Sequence, residues 1–241
     1  MENEDCAAFL RTLEDGSADL VLTDPPYEVS RSTNFASGAP KGKDTDRFRL
    51  SMDFGEWDAG GRSEALGEAV RECFRVLRDG GQMICFYDLW KIGDLKSMME
   101  SAGFRQIRFI EWVKTNPVPL NSKVNYPTNA REAAVCGTKK GRPVFHSEYD
   151  SGIYRHPICR DAGRFHPTQK PVALMRELIE KHSEPGVMVV DPFMGSATTG
   201  AACLGAGRRF AGCELDREYF EKAEERLAGM LAGRNFPRPE L

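Results

Sequence analysis

The chain has 241 residues, a formal net charge of −3, 41% hydrophobic and 29% charged residues. That composition excludes a wholly disordered chain, and the length suits one α/β domain with a sizeable core, with room for a small insert. No apolar run approaches the ~18 residues of a membrane span, and the acidic start at residues 1–5 lacks a signal-peptide pattern, so a cytoplasmic protein is expected.

In chain order, residues 5–13 read as a short helix ended by Gly16. Residues 18–23 (ADLVLT) read as a strand running into Asp24-Pro25-Pro26-Tyr27. Residues 28–60 carry little periodicity and read as a long, functional loop. An amphipathic helix over 63–77 ends at Asp79-Gly80-Gly81. A strand over 82–87, a helix over 89–101 closed by Gly103, and a strand over 105–113 follow. Residues 114–165 are rich in Pro, Asn, Lys and Arg and read as an irregular insert, with a hairpin around 133–136 and 144–145. Pro171 opens a helix over 172–182 with Val172, Met175, Leu178 and Ile179 on one face. A strand over 187–190, a helix over 197–204, a strand over 209–214 and a helix over 218–231 complete the chain. This alternation predicts a doubly wound, mostly parallel α/β sheet. The expected division is a main domain of 1–113 and 166–241, the insert 114–165, and a mobile loop 28–60.

Charge is unevenly spread. Residues 1–27 hold seven acids and one base; residues 105–142 hold eight bases and two acids. The basic stretch reads either as a solvated face or as a docking face for a polyanion. The seven cysteines (Cys6, Cys73, Cys85, Cys136, Cys159, Cys203, Cys213) form no Cys-x-x-Cys pair. They read as reduced, buried thiols, with no metal site expected.

Two turns carry chemistry. From Val187 the sequence VMVVDPFMGSATTG runs from an apolar strand through a turn containing Gly195 into a helix of small residues. Glu214, 23 residues after Asp191, ends the next strand, where a carboxylate can accept ribose hydroxyls. The glycine spacing is not that of a dinucleotide site, and no Gly-Lys-Ser/Thr cradles phosphate. Asp191 suits a cationic ligand such as S-adenosylmethionine, although an ordinary βαβ turn has the same outline. The other turn, Asp24-Pro25-Pro26-Tyr27, suits an aromatic amino group. Accepting hydrogen bonds from both its N–H groups, at the Asp24 carboxylate and the Pro25 carbonyl, frees the nitrogen lone pair from the ring. The prolines fix the turn, and Tyr27 offers a face for an extruded base.

With ADLVLTDPPY, FHPTQKPVALM, DPFMGSATTG and GCELDREYF, the chain resembles the permuted (β-group) S-adenosylmethionine-dependent DNA amino-methyltransferases, in compact bacterial or phage form. The resemblance implies a class I, Rossmann-like, circularly permuted fold. It implies catalysis by Asp24, Pro25, Pro26 and Tyr27. It implies cofactor contacts from Asp5 and Cys6 at the adenine and Glu214 and Leu215 at the ribose. Asp24, His166, Thr168, Lys170, Asp191, Phe193, Gly195, Ser196 and Thr198 would line the rest, with Thr168 and Lys170 at the methionine carboxylate; His166 reads equally as a cap of the following turn. Family members usually begin with an apolar strand before the Asp5-Cys6 position. Residues 1–4 are not strand-like, so the sheet is expected to lack that edge strand or to build it from the C-terminal segment.

The implied function is methylation of the exocyclic amino group of adenine in double-stranded DNA, by base flipping and direct transfer. Insert residues Lys114, Asn116, Asn121, Lys123, Asn125, Arg131, Lys139 and Lys140 are the candidates for DNA contact. Members of this group often form homodimers and act beside a restriction enzyme. Two readings stand beside it: a cytosine-N4 DNA methyltransferase, in which serine is commoner at the Asp24 position, and an inactive DNA-binding relative.

Overall fold

The computed structural model describes residues 1–26, 59–117, 127–159 and 169–233. The expected loop 28–60 lies outside these, apart from its last two positions, which begin a helix.

Thirteen elements follow one another among the described residues: α1 (Cys6–Thr12), β1 (Ala18–Thr23), α2 (Ala59–Val76), β2 (Leu77–Tyr87), α3 (Ile92–Ala102), β3 (Arg105–Lys114), β4 (Arg131–Thr138), β5 (Ile153–His156), α4 (Val172–His182), β6 (Met188–Asp191), α5 (Thr198–Ala206), β7 (Arg209–Gly212) and α6 (Arg217–Leu231). Local chemistry sets the ends. Asp5 caps α1 by accepting from the N–H groups of Ala7 and Ala8, at 2.9 and 3.2 Å. Gly103, at φ 109°, closes α3 by donating to the carbonyls of Met99 and Glu100. Asp216 caps α6 through the Tyr219 N–H.

The seven strands form one sheet in the order β5-β3-β4-β2-β1-β6-β7. β1 runs parallel to β2 and β6, and β6 parallel to β7. Alternation along the strands sends Val21, Met83, Cys85 and Val135 to one face, under α1, α2 and α3. Leu20, Leu22, Ile84, Phe86, Ala134 and Cys136 face the other way, under α4 and α5. α5 is buried along most of its length, which explains its run of Thr, Gly and Ala: larger side chains would not fit between the sheet and α6. Both faces are therefore covered, as a doubly wound sheet requires.

β2 lies on one side of β1, while β7 lies on the other side of β6. The strand order thus reverses between β1 and β6. In open α/β sheets the ligand crevice forms at such a reversal, outside the carboxyl ends of the strands. The two motif turns leave β1 and β6 at that point.

Two local readings change. Residues 131–138 do not form a hairpin with 144–145. They form β4, an antiparallel strand buried between β2 and β3, with Ile84 opposite Cys136 and Ile110 opposite Ala134. Residues 114–165 also supply β5, beside β3. At the opposite edge, Glu2 makes a single bridge to Cys213: its N–H donates to Gly212 and its carbonyl accepts from Glu214. One residue of residues 1–4 thus occupies the place of the expected edge strand.

Gly212, the last residue of β7, has no room for a side chain. A Cβ there would lie 2.6 Å from Phe210 Cζ and 2.8 Å from the Asp191 carbonyl oxygen. Gly212→Ala is expected to destabilise the fold by about 1–3 kcal/mol through overpacking. Thermal denaturation checks this, and an unchanged midpoint would contradict the tight packing beside Asp191.

Candidate active site

Asp191 ends β6 and is buried. Its Oδ1 accepts from Thr23 Oγ1 at 2.6 Å and from the Phe193 N–H at 3.1 Å; its Oδ2 accepts from Thr199 Oγ1 at 2.6 Å. Thr23 is the last residue of β1, so this carboxylate fastens the two motif turns to each other. Burial raises its pKa to about 6, against the pull of these hydrogen bonds.

The turn after Asp191 is shaped by backbone. Gly195 and Ala197 both sit in the left-handed region, at φ 49° and 52°. The Gly195 N–H donates to Glu214 Oε2 at 2.9 Å, and the Asp216 N–H to Oε1 at 2.9 Å. Glu214, just past β7, thereby ties the turn to the neighbouring strand end. Each of its oxygens keeps a lone pair for a hydroxyl donor. Burial raises its pKa despite those backbone bonds. Residues 1–5 pack on the same corner, with Asn3 Nδ2 donating to the carbonyls of Glu214 and Leu215. Phe193 and Cys6 are partly buried against one core, while Leu215 is exposed. Ser196 and Thr198 are buried, 3.0 Å apart through their hydroxyls, and held by Arg226 of α6.

Asp24 follows directly on Thr23. Its Oδ2 is paired with Lys170 Nζ, and its Oδ1 is buried without a partner among the described residues. Burial raises its pKa, Lys170 opposes that, and Glu132 adds to it. Lys170 has only 5% of its side chain exposed, and its ammonium lies between Asp24 and Glu132. Pro25 is buried and Pro26 exposed. Tyr27, His166 and Thr168 lie outside the described residues.

The candidate DNA residues separate. β4 runs antiparallel to β2, so its beginning lies at the crevice end of the sheet and its end at the opposite one. Arg131 stands at the crevice end, exposed, with one contact to Glu111 at 3.3 Å. Lys114 is there too, partly buried and paired with Glu132 at 2.8 Å. Asn116 is engaged structurally, accepting from the Ile158 N–H at 2.7 Å. Lys139 and Lys140 follow β4 at the far end, remote from Asp24. Lys139 Nζ donates to the carbonyls of Arg75 and Leu77, where α2 meets β2. The structure therefore does not bring this lysine pair to the crevice. Asn121, Lys123 and Asn125 lie outside the described residues. Glu132, which sequence reasoning passed over, is the unexpected member of the site.

Asp24 and Asp191 stand at the ends of β1 and β6 where the strand order reverses, and Glu214 follows β7 and is tied to the same turn. A phosphate-bearing ligand would be repelled, whereas one with a sulfonium, an ammonium and ribose hydroxyls matches the donor and acceptor set. Sheet order and crevice define an S-adenosylmethionine-dependent methyltransferase of class I, circularly permuted. Residues 18–225 match the family described as DNA methylase, and the chain belongs to that family. The type II methyltransferase M2.DpnII of Streptococcus pneumoniae is 30% identical, over 93% of this chain and 88% of its own. The crystal structure of the M1.HpyAVI–SAM complex is 28% identical with a TM-score of 0.69, covering 93% of this chain and 97% of that one. The cytosine-N4-specific PvuII DNA methyltransferase is 16% identical with a TM-score of 0.71, over 99% of this chain and 86% of that one, a likeness of fold. The protein is accordingly an S-adenosylmethionine-dependent DNA methyltransferase.

The raised pKa of Asp191 has a consequence for stability. Its carboxyl holds a proton more tightly folded than unfolded, so stability present below the unfolded value of 3.8 is lost as pH rises through about 6. Asp191→Asn removes this loss. Its stability relative to the parent protein is expected to grow between pH 4 and pH 7, by up to about 3 kcal/mol. Denaturant unfolding at both pH values measures the difference, and a constant one would refute the buried ionisation.

Proposed function

We propose that the protein methylates the N6 amino group of adenine in double-stranded DNA. The observation that carries this is Asp24 Oδ1: a buried acceptor with no described partner, on a carboxylate whose other oxygen is already held, beside the strand reversal. An aspartate rather than serine at this place favours adenine within the resemblance stated above.

In this reading, Asp24 Oδ1 accepts one N–H of the extruded amino group and the Pro25 carbonyl the other, so the nitrogen lone pair turns toward the methyl donor. Tyr27 supplies the stacking face. S-adenosylmethionine, when bound, supplies an electrophilic methyl group. Glu214 would hold its ribose hydroxyls. Asp5 and Cys6 would stand at its adenine, and Asp191, Phe193, Gly195, Ser196, Thr198 and Leu215 would shape the remaining wall. Several of these act at one remove: Asp191, Ser196 and Thr198 hold the turn rather than facing outward. The amino nitrogen would take the methyl carbon as its bond to the sulfonium sulfur breaks, with S-adenosylhomocysteine leaving, and would then lose a proton to Asp24. No covalent enzyme intermediate is required. Catalytic power would come from positioning and from fixed charge at the amino group.

Target recognition is assigned to the insert 114–165, in which Lys114, ending β3, and Arg131, opening β4, both stand at the crevice end of the sheet. Arg131 is the described insert residue best placed to meet a phosphate. Arg131→Ala is expected to lower the slope of log affinity against log salt by about one, and Lys140→Ala to leave it unchanged. Equal slopes for Arg131→Ala and the parent protein would remove Arg131 from the DNA face.

Asp24→Ala is expected to abolish methyl transfer, a loss of at least about a hundredfold, while cofactor affinity stays within a few-fold. Transfer of labelled methyl groups and calorimetric binding give the two readouts. Mass spectrometry of the modified nucleoside names the base. N6-methyladenine supports the proposal; N4-methylcytosine replaces it with the other amino chemistry.

A further inference from the structure

At Asp24 lies a partly buried row of alternating charge: Lys114 from β3, Glu132 from β4, Lys170 from the turn before α4, and Asp24 just past the end of β1. Lys114 Nζ lies 2.8 Å from Glu132 Oε1, Lys170 Nζ lies 3.1 Å from Glu132 Oε2, and Lys170 Nζ is paired with Asp24 Oδ2. Side-chain exposures run 13%, 23%, 5% and 19%, so water screens the row only weakly. The Lys170–Glu132 contact lacks hydrogen-bond geometry and acts as an ion pair. Lys170 also rests on the Phe86 ring, at 5.1 Å from its centroid.

We propose that Glu132 and Lys170 are positioning residues for methyl transfer: Lys170, anchored by Glu132 and Lys114, occupies Asp24 Oδ2 and leaves Oδ1 to accept from the target amino group. This rests on the reading of Asp24 as the amino-group acceptor. The geometry explains why Lys170 is drawn inward instead of standing free in the cofactor crevice. A carboxylate buried at this depth without a cation would hold its proton and lose its acceptor. A lysine with no second carboxylate would pair with Asp24 alone and drain charge from it. Glu132 prevents that by sharing the ammonium, and Lys114 in turn neutralises Glu132.

The charges oppose each other in a measurable way. Burial raises the Asp24 pKa most, Lys170 lowers it, and Glu132 raises it. Glu132 itself is lowered: burial would raise it, but Lys170 and Lys114 more than offset that. Asp191 from β6 and Cys85 from β2 are also electrostatically coupled to Asp24. Both are present in every variant compared.

Activity needs ionised Asp24 and falls as pH drops through its pKa. Lys170→Met is expected to move that acidic limb to higher pH by at least about one unit. Glu132→Gln is expected to move it to lower pH. Lys170→Arg, which keeps the cation, returns the limb towards that of the parent protein. The rate of single-turnover transfer from labelled S-adenosylmethionine to a pool of random-sequence duplex DNA is measured from pH 5 to 9. Cofactor affinity is measured in parallel and is expected to stay within about threefold. Opposite displacements by the two substitutions are the signature, because simple loosening of the fold moves both the same way. Unmoved limbs, or a tenfold loss of cofactor affinity in Lys170→Met with its limb in place, would overturn the proposal and return Lys170 to the methionine carboxylate. If Lys170→Met does not fold, Glu132→Gln with Lys170→Arg still gives the sign. Failure of the underlying reading looks different: Asp24→Asn would then transfer methyl groups at the parental rate.

Discussion

The site depends on one buried carboxylate. Asp191 accepts from Thr23, Thr199 and the Phe193 N–H, and so joins the end of β1 to the end of β6 and to the first turn of α5. Strand pairing brings β1 and β6 side by side, but main-chain bonds stop before the turns begin. Beyond them, hydroxyl-to-carboxylate bonds hold the two loops in register. A charged group at this depth is costly, and the cost is offset only while all three donors are present. The two turns expected to touch substrate and cofactor are thus kept in place by one side chain.

The same logic runs through the rest of the crevice. Glu214 fixes two backbone N–H groups, Arg226 fixes Ser196 and Thr198, and Lys170 fixes one oxygen of Asp24. Each of these bonds is made between groups of the protein itself. An arrangement of this kind needs little reorganisation at the moment of reaction, and that is the condition under which fixed charges act most strongly on a transition state. It fits chemistry that asks for the alignment of two partners without an enzyme nucleophile.

The main architecture was legible in the sequence because it follows from periodicity and turn chemistry. Residues 18–23 and 172–182 were expected as a strand and a helix and occur as β1 and α4 with those bounds. β4 was not legible in its true place. Residues 133–137 (AAVCG) are small or apolar because they are covered on both faces, and the pairing with β2 is long-range. Flanked by proline- and asparagine-rich sequence, it looked like part of an irregular insert. The error carried over to charge. Lys139 resembled a phosphate ligand in a basic stretch, but it spends its donors on the carbonyls of Arg75 and Leu77. The motif does not reveal that Lys170 also pairs with Asp24. In both cases the deciding partner lies at least 60 residues away in the chain, where no local pattern reaches.

The pairing of β1 with β6 has a further consequence for how the molecule reaches its native state. Thr23 and Asp191 are 168 residues apart in the chain. Contacts of such separation carry the largest loop-closure cost and tend to form late. The hairpin-like pairing of β3 with β4 and the crossover from β6 to β7 are far more local. Each half of the sheet can therefore organise early, with the seam between them closing last. Since that seam is the cofactor crevice, the ability to bind ligand would appear only as folding ends, and ligand binding would stabilise the final docking of the two halves.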